Sequence, residues 1–199
     1  MIKGSHNSLS YLKPKTFLMK MLGFKYMCQD KSLENQIKSG IHVIDIKVRF
    51  DEVCSVIVTN GKWETEKHYT CDDFMYMILK TIGDNRIDDD DILININLDT
   101  TGDSYFQEME FIRFVNKFIE KIEKSNEHVY IIGGKRVFDN TQVITRLRNP
   151  KMIVEPVACV DKRTRFYEKW FPKLFARRMN VKNMCLWKNE DVICLFDYI

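Results

Sequence analysis

Short apolar runs recur along this chain, separated by stretches whose apolar residues fall three or four positions apart. The runs Ile41–Val48, Cys54–Thr59, Ile92–Leu98, Val129–Ile132, Met152–Val157 and Val192–Phe196 read as strands, with a stub at Ile2–Ser5 as a first strand. They are rich in Ile and Val and mostly apolar on both faces, the pattern of a parallel sheet covered on both sides.

Helical spacing fills the gaps. The stretch Ser32–Ser39 opens on Ser32, a good N-cap, and stops at Gly40, a good C′ residue. Asp72–Thr81 precedes Gly83. The longest helix is expected over Ser104–Lys124, where Phe106, Met109, Ile112, Val115 or Phe114, Phe118, Ile119 and Ile122 share one face. A further helix is expected over Asp161–Arg178, broken near Pro172.

Strands alternating with helices predict an α/β fold with a parallel sheet. So many strands in 199 residues suit a compact, irregular (β/α) TIM-type barrel, smaller than the ~250 residues typical of that fold. No repeat, linker or low-complexity segment divides the chain, so residues 1–199 are expected to form a single domain.

Composition adds limits. Hydrophobic residues make up 45% and charged residues 30%, with a net charge of +3. That is an ordinary globular balance, and it argues for no nucleic-acid partner despite a Lys/Arg-rich C-terminal third. No apolar run reaches the roughly 20 residues that a transmembrane helix needs. Lys3, His6 and Asn7 interrupt the region where a signal segment would lie, so the expected location is cytoplasmic, in part at the membrane surface. The cysteines Cys28, Cys54, Cys71, Cys159, Cys185 and Cys194 show no zinc-ligand spacing and are expected to be reduced and mostly buried.

Active sites of parallel barrels gather at the C-terminal ends of strands. There the chain places His6 and Asn7, then Asp45 and Lys47, then Thr59-Asn60-Gly61, then Asp99, and finally Asp197. A histidine, carboxylates and a lysine on one rim are an inventory for acid–base work on a phosphate ester.

The run Gly4-Ser5-His6-Asn7-Ser8-Leu9 resembles the first motif of the phosphatidylinositol-specific phospholipase C X-type domain. Gln29 and Ser32–Lys47 resemble the second, a helix ending in Gln-x-x-x-Gly that leads into a strand carrying an acidic residue. Val56–Gly61 is similar to the strand that ends there in His-Gly, and Thr70-Cys71-Asp72-Asp73-Phe74 to the start of the next helix. Ile94–Asp99 and Leu195–Ile199 match the following and final strands, whereas between Thr100 and Val192 little aligns.

The resemblance implies a phosphodiesterase acting on an inositol phospholipid or a related phosphodiester. His6 would be the general base that takes a proton from the inositol 2-hydroxyl. Asp197 would orient its ring, Lys47 would meet the charge on the phosphoryl oxygens, and Asp45 would position that cation or the attacking hydroxyl. Asn7, Asn60 and Asp99 would line the substrate.

Two departures bear on turnover. Asn60 stands where the family has its second histidine, the general acid, and Asn7 where the bacterial enzymes have the Asp that supports it. An amide gives up no proton near neutral pH, and losing a general acid costs roughly 10²–10⁴ in rate. His68 is a candidate displaced acid. A degenerate member, binding a phosphorylated headgroup or a protein partner without turnover, is therefore the alternative. In the calcium-dependent branch Asn7 would ligate the metal, and Asn7, Asp45 and Asp99 would make an oxygen site. Lys47 occupies a further ligand position, which argues for no cofactor. The basic, aromatic run Lys162–Phe171 reads as either a peripheral membrane contact or a barrel-covering helix.

Overall fold

A computed structural model describes residues 2–22, 27–87, 91–99, 104–125, 128–133, 152–154, 176, 178, 180, 181 and 192–197. Its elements run β1 (Ile2–Ser5), α1 (Phe17–Leu22), α2 (Leu33–Lys38), β2 (Val43–Phe50), β3 (Val56–Asn60), β4 (Trp63–Glu64), α3 (Cys71–Asn85), β5 (Ile92–Leu98), α4 (Ser104–Ser125), β6 (Val129–Gly133), β7 (Met152–Val154) and β8 (Val192–Phe196). The fold is α/β.

Six strands form a parallel path in the order β6-β5-β2-β1-β8-β7. The first strand thus lies between the second and the last. Strand β3 departs from the expected parallel order. It runs antiparallel to the C-terminal half of β2, pairing Val48 with Val58 and Phe50 with Val56. The cause is length: residues 51–55 are too few for a parallel crossover, which takes a dozen or more. Asp51 closes that turn by accepting from the N–H groups of Val53 (3.1 Å) and Ser55 (2.8 Å).

The helices are set by local signals that packing then extends. Ser32 caps α2 and Thr70 caps α3, each side chain accepting a backbone N–H from the first turn. Helix α3 does not stop before Gly83 but continues to Asn85. Burial of Ile78 and Ile82 against the sheet outweighs the ~1 kcal/mol that a mid-helix glycine costs. Gly40 ends α2 with φ of 81°, the left-handed conformation that a glycine there allows. Helix α1 and the short β4 are not evident in the sequence pattern. The stretch 161–175 lies outside the described residues.

The two faces of the sheet differ. Ile44, Ile46, Ile94 and Ile96 join Phe74, Ile78, Phe114 and Phe118 of α3 and α4 in the main core. Their neighbours on the opposite face follow the strand period of two. Val43, Ile132, Ile193 and Leu195, with Ile2 and Leu93 against them, form a small apolar cluster at its lower end. Continuing along the strands, the same face turns polar, through His6, Asp45, Lys47, Asn95, Asn97 and Asp197. Gly4 lets the strands close up beneath this rim, since a Cβ there would lie 2.5 Å from Leu195 Cδ2 and 2.9 Å from Val43 Cβ.

Candidate active site

Register aligns the polar rim. Ser5 pairs with Ile44 on one side and with Phe196 on the other, and Asp45 pairs with Asn95. One residue beyond the β1 pairs, His6 therefore stands between Asp45 and Asp197. Adjacent parallel strands lie about 4.8 Å apart, which is within side-chain reach. A single row Asp197–His6–Asp45–Asn95 crosses four neighbouring strands.

The contacts agree with that register. His6 Nδ1 lies 2.8 Å from Asp197 Oδ1. A carboxylate there demands Nδ1–H, so in the neutral ring Nε2 carries the lone pair. Nε2 lies 3.9 Å from Asp45 Oδ2 and 3.3 Å from Asn7 Nδ2. Asp45 is fully buried, and each oxygen accepts protein donors: Oδ2 from Asn7 N (2.9 Å), Oδ1 from Asn95 Nδ2 (2.7 Å) and Asn97 Nδ2 (3.1 Å). These bonds satisfy both carboxyl oxygens in their buried place.

Loops fix the rest. Asn7 has φ of 44°, in the left-handed region that Asn tolerates better than most residues. Ser8 ties this turn to β2, its N–H donating to Asp45 O and its hydroxyl accepting from Asp45 N. Gln36 accepts from the Ser5 hydroxyl and donates to Ser8 O at 2.8 Å. Gln29 donates to His6 O (3.2 Å) and to Phe196 O (2.7 Å), holding together the ends of β1 and β8.

Burial by itself disfavours a charged His6. The Cys28 sulfur and the Asp197 carboxylate outweigh that penalty and hold the His6 pKa well above its usual value of 6.5. The ring therefore keeps its proton to higher pH than an exposed histidine.

Cys28 was not singled out by sequence reasoning. Its thiol is half-buried, not fully buried, and accepts from Asn7 Nδ2 (3.4 Å) and Asn60 Nδ2 (3.6 Å) beside His6. Cys54 and Cys71 are likewise only partly buried, so among the described cysteines Cys194 alone meets the expectation of a buried thiol. Cys159 and Cys185 lie outside the described residues. Asn95 and Asn97 were also missed, although alternation with Ile94, Ile96 and Leu98 marks them as facing one way.

The remaining candidates divide. Lys47 follows Asp45 by two positions, so it shares that face one level higher, opposite Asn97. Asp99 accepts from Gly61 N at 3.0 Å, at the turn between β3 and β4 next to Asn60. Of the three residues expected to hold calcium, Asp45 accepts from Asn7, Asn95 and Asn97, Asp99 accepts from Gly61 N, and Asn7 Oδ1 has no hydrogen-bond partner among the described residues. His68 is not a displaced acid at this rim. Its Nδ1 pairs with Asp51 Oδ2 at 2.8 Å in a separate cleft of about 790 Å³ lined also by Arg49 and Glu64.

No family model matches the sequence, and none of the curated proteins matches it. Solved structures do. Phosphatidylinositol-specific phospholipase C from Listeria monocytogenes aligns over 99% of this chain and 87% of its own, with a TM-score of 0.58 and 13% identity. The chain has the fold of that phospholipase C. The phosphatidylinositol-specific phospholipase C of Staphylococcus aureus aligns over 66% of this chain and 46% of its own, at 19% identity and a TM-score of 0.44.

Proposed function

We propose that this protein cleaves phosphodiesters that carry a neighbouring hydroxyl, as in an inositol phospholipid. The observation that carries the reading is the row Asp197–His6–Asp45, with His6 and Asp197 just past the ends of β1 and β8, Asp45 beside them within β2, and the 2.8 Å contact at His6 Nδ1. His6 Nε2 takes the proton of the attacking hydroxyl, and Asp197 holds the tautomer that makes this possible. Lys47 meets the negative charge on phosphorus, on the face it shares with Asp45. Asp45, locked by Asn7, Asn95 and Asn97, positions the groups around it.

Protonation of the leaving group is the weak step. Asn7 and Asn60 supply amides there, so good leaving groups are favoured. Those two amides also support a second reading, a non-catalytic binder of phosphorylated headgroups. We further infer that the sheet closes as a TIM-type barrel over a single domain of residues 1–199. Support comes from β1 lying between β2 and β8 and from the 99% coverage of this chain in the Listeria alignment.

No described helix is long and apolar enough to cross a membrane. Contact with a lipid surface is part of the proposal, supported by Phe17, Leu18 and Met21, which α1 exposes. The run Lys162–Phe171 lies outside the described residues.

The test incubates wild type and His6→Ala with phosphatidylinositol vesicles and with an activated aryl phosphodiester. Wild type is expected to turn over the aryl substrate about 10²–10⁴ times faster than the variant. Equal inertness of both proteins on both substrates would reject turnover and leave the binding reading.

A further inference from the structure

We propose that His6 Nε2, Cys28 and Asn7 form a binding site for a thiophilic divalent cation of the zinc type, with Asp197 holding the His6 ring from its Nδ1 edge. One donor atom from each of His6, Cys28 and Asp197 lies within 4.8 Å of the others. Imidazole and thiol are ligand types that zinc takes, at about 2.0–2.3 Å in a tetrahedral shell. Calcium and magnesium prefer oxygen throughout, so the same set selects against them.

A second observation points to a ligand. Asn7 is 4% exposed, and its Oδ1 is buried with no hydrogen-bond partner among the described residues. The Nδ2 of the same amide lies 3.3 Å from His6 Nε2 and 3.4 Å from Cys28 Sγ. The two ends of an amide are isosteric, so a half-turn of the side chain carries Oδ1 into that position. It then faces the point between Nε2 and the sulfur where a cation would sit, and supplies a third donor.

The surroundings hold the donors in place. Ser10 Oγ accepts from both Cys28 N (3.0 Å) and Gln29 N (2.9 Å), which pins the Cys28 loop. Asn180 Nδ2 donates to Asp197 O at 2.7 Å. Such support of ligands is typical of metal centres. Binding forms metal–sulfur and metal–nitrogen bonds and releases to solvent the thiol proton and any proton that Nε2 holds. The cation would also engage the His6 ring and remove the base. This inhibitory consequence rests on the phosphodiesterase reading, whereas binding does not.

The test uses chelator-treated full-length protein and zinc chloride in a calorimeter, with cobalt chloride followed by absorption. One ion per chain is expected, with a near-ultraviolet thiolate-to-cobalt band. Cys28→Ser should remove the band and weaken zinc by at least about tenfold, and Asp197→Asn should also weaken it. Cys54→Ser should change neither. A wild-type protein without the band, or a zinc isotherm unaltered in Cys28→Ser, overturns the proposal. If the enzyme turns over, zinc should inhibit wild type more strongly than Cys28→Ser. A protein that binds zinc but never cleaves a phosphodiester keeps this site and loses only the activity.

Discussion

The two edges of the His6 ring are built from different chemistry. On the Nδ1 edge a carboxylate stands at 2.8 Å, and the strand ends behind it are clamped by Gln29. On the Nε2 edge the near neighbours are an amide at 3.3 Å and a thiol that two amides share at 3.4 and 3.6 Å. A charge-assisted bond is short and directional, whereas amide–sulfur contacts are long and weak. The side that would prepare a base has its carboxylate in place. The side that would protonate a leaving group holds neutral donors and a sulfur. The same polarity that makes the second side a poor acid makes it a good cradle for a soft cation.

The largest expected effect comes from breaking the strong side. Asp197→Asn replaces the acceptor of Nδ1–H with an amide that can favour the wrong tautomer. Turnover of the aryl phosphodiester should fall by about 10²–10⁴-fold with little change in apparent substrate affinity. Steady-state kinetics checks this, and a variant with wild-type kcat would show that Asp197 only anchors structure.

Rebuilding the weak side should have a smaller effect. Asn7→Asp with Asn60→His restores an acid and its carboxylate where the two amides now meet at Cys28. The gain should be about tenfold or more, and larger for poor leaving groups than for activated ones, because only the former need the proton. A uniform change across leaving groups would mean that Asn60 does not face the leaving group.

The smallest effect concerns pH. The folded state holds the His6 imidazolium more tightly than the unfolded chain does. That stabilisation is complete below the unfolded value near 6.5 and is lost as pH rises through the raised folded value. Thermal midpoints of wild type should therefore fall across that alkaline window relative to His6→Gln. Turnover should rise over the same window as Nε2 is freed. Parallel stability curves for the two proteins would contradict the raised pKa.

Much of this contrast could be read from the chain, but unevenly. His6 and Asp197 end apolar runs, and Asp45 interrupts one, so period and position mark them. Asn95 and Asn97 carry the same alternation signal. His68 looked like an acid only because it lies near Asn60 in sequence, and folding commits it to Asp51. Cys28 carried no local signal. It follows no strand and has no cysteine at ligand spacing, and the Ser10 hydroxyl that positions it lies 18 residues away.

From sequence alone come the α/β alternation, the capped helices, the strands of the rim and the order of its polar residues. These depend on period, caps and turn residues, which act over a few positions. Tertiary structure alone decided which strand neighbours which, that β3 returns antiparallel, and that His6 meets Asp197 across 191 residues while a thiol fills its other side. Those outcomes depend on register and on loop placement, and both are set by packing between segments far apart in the chain.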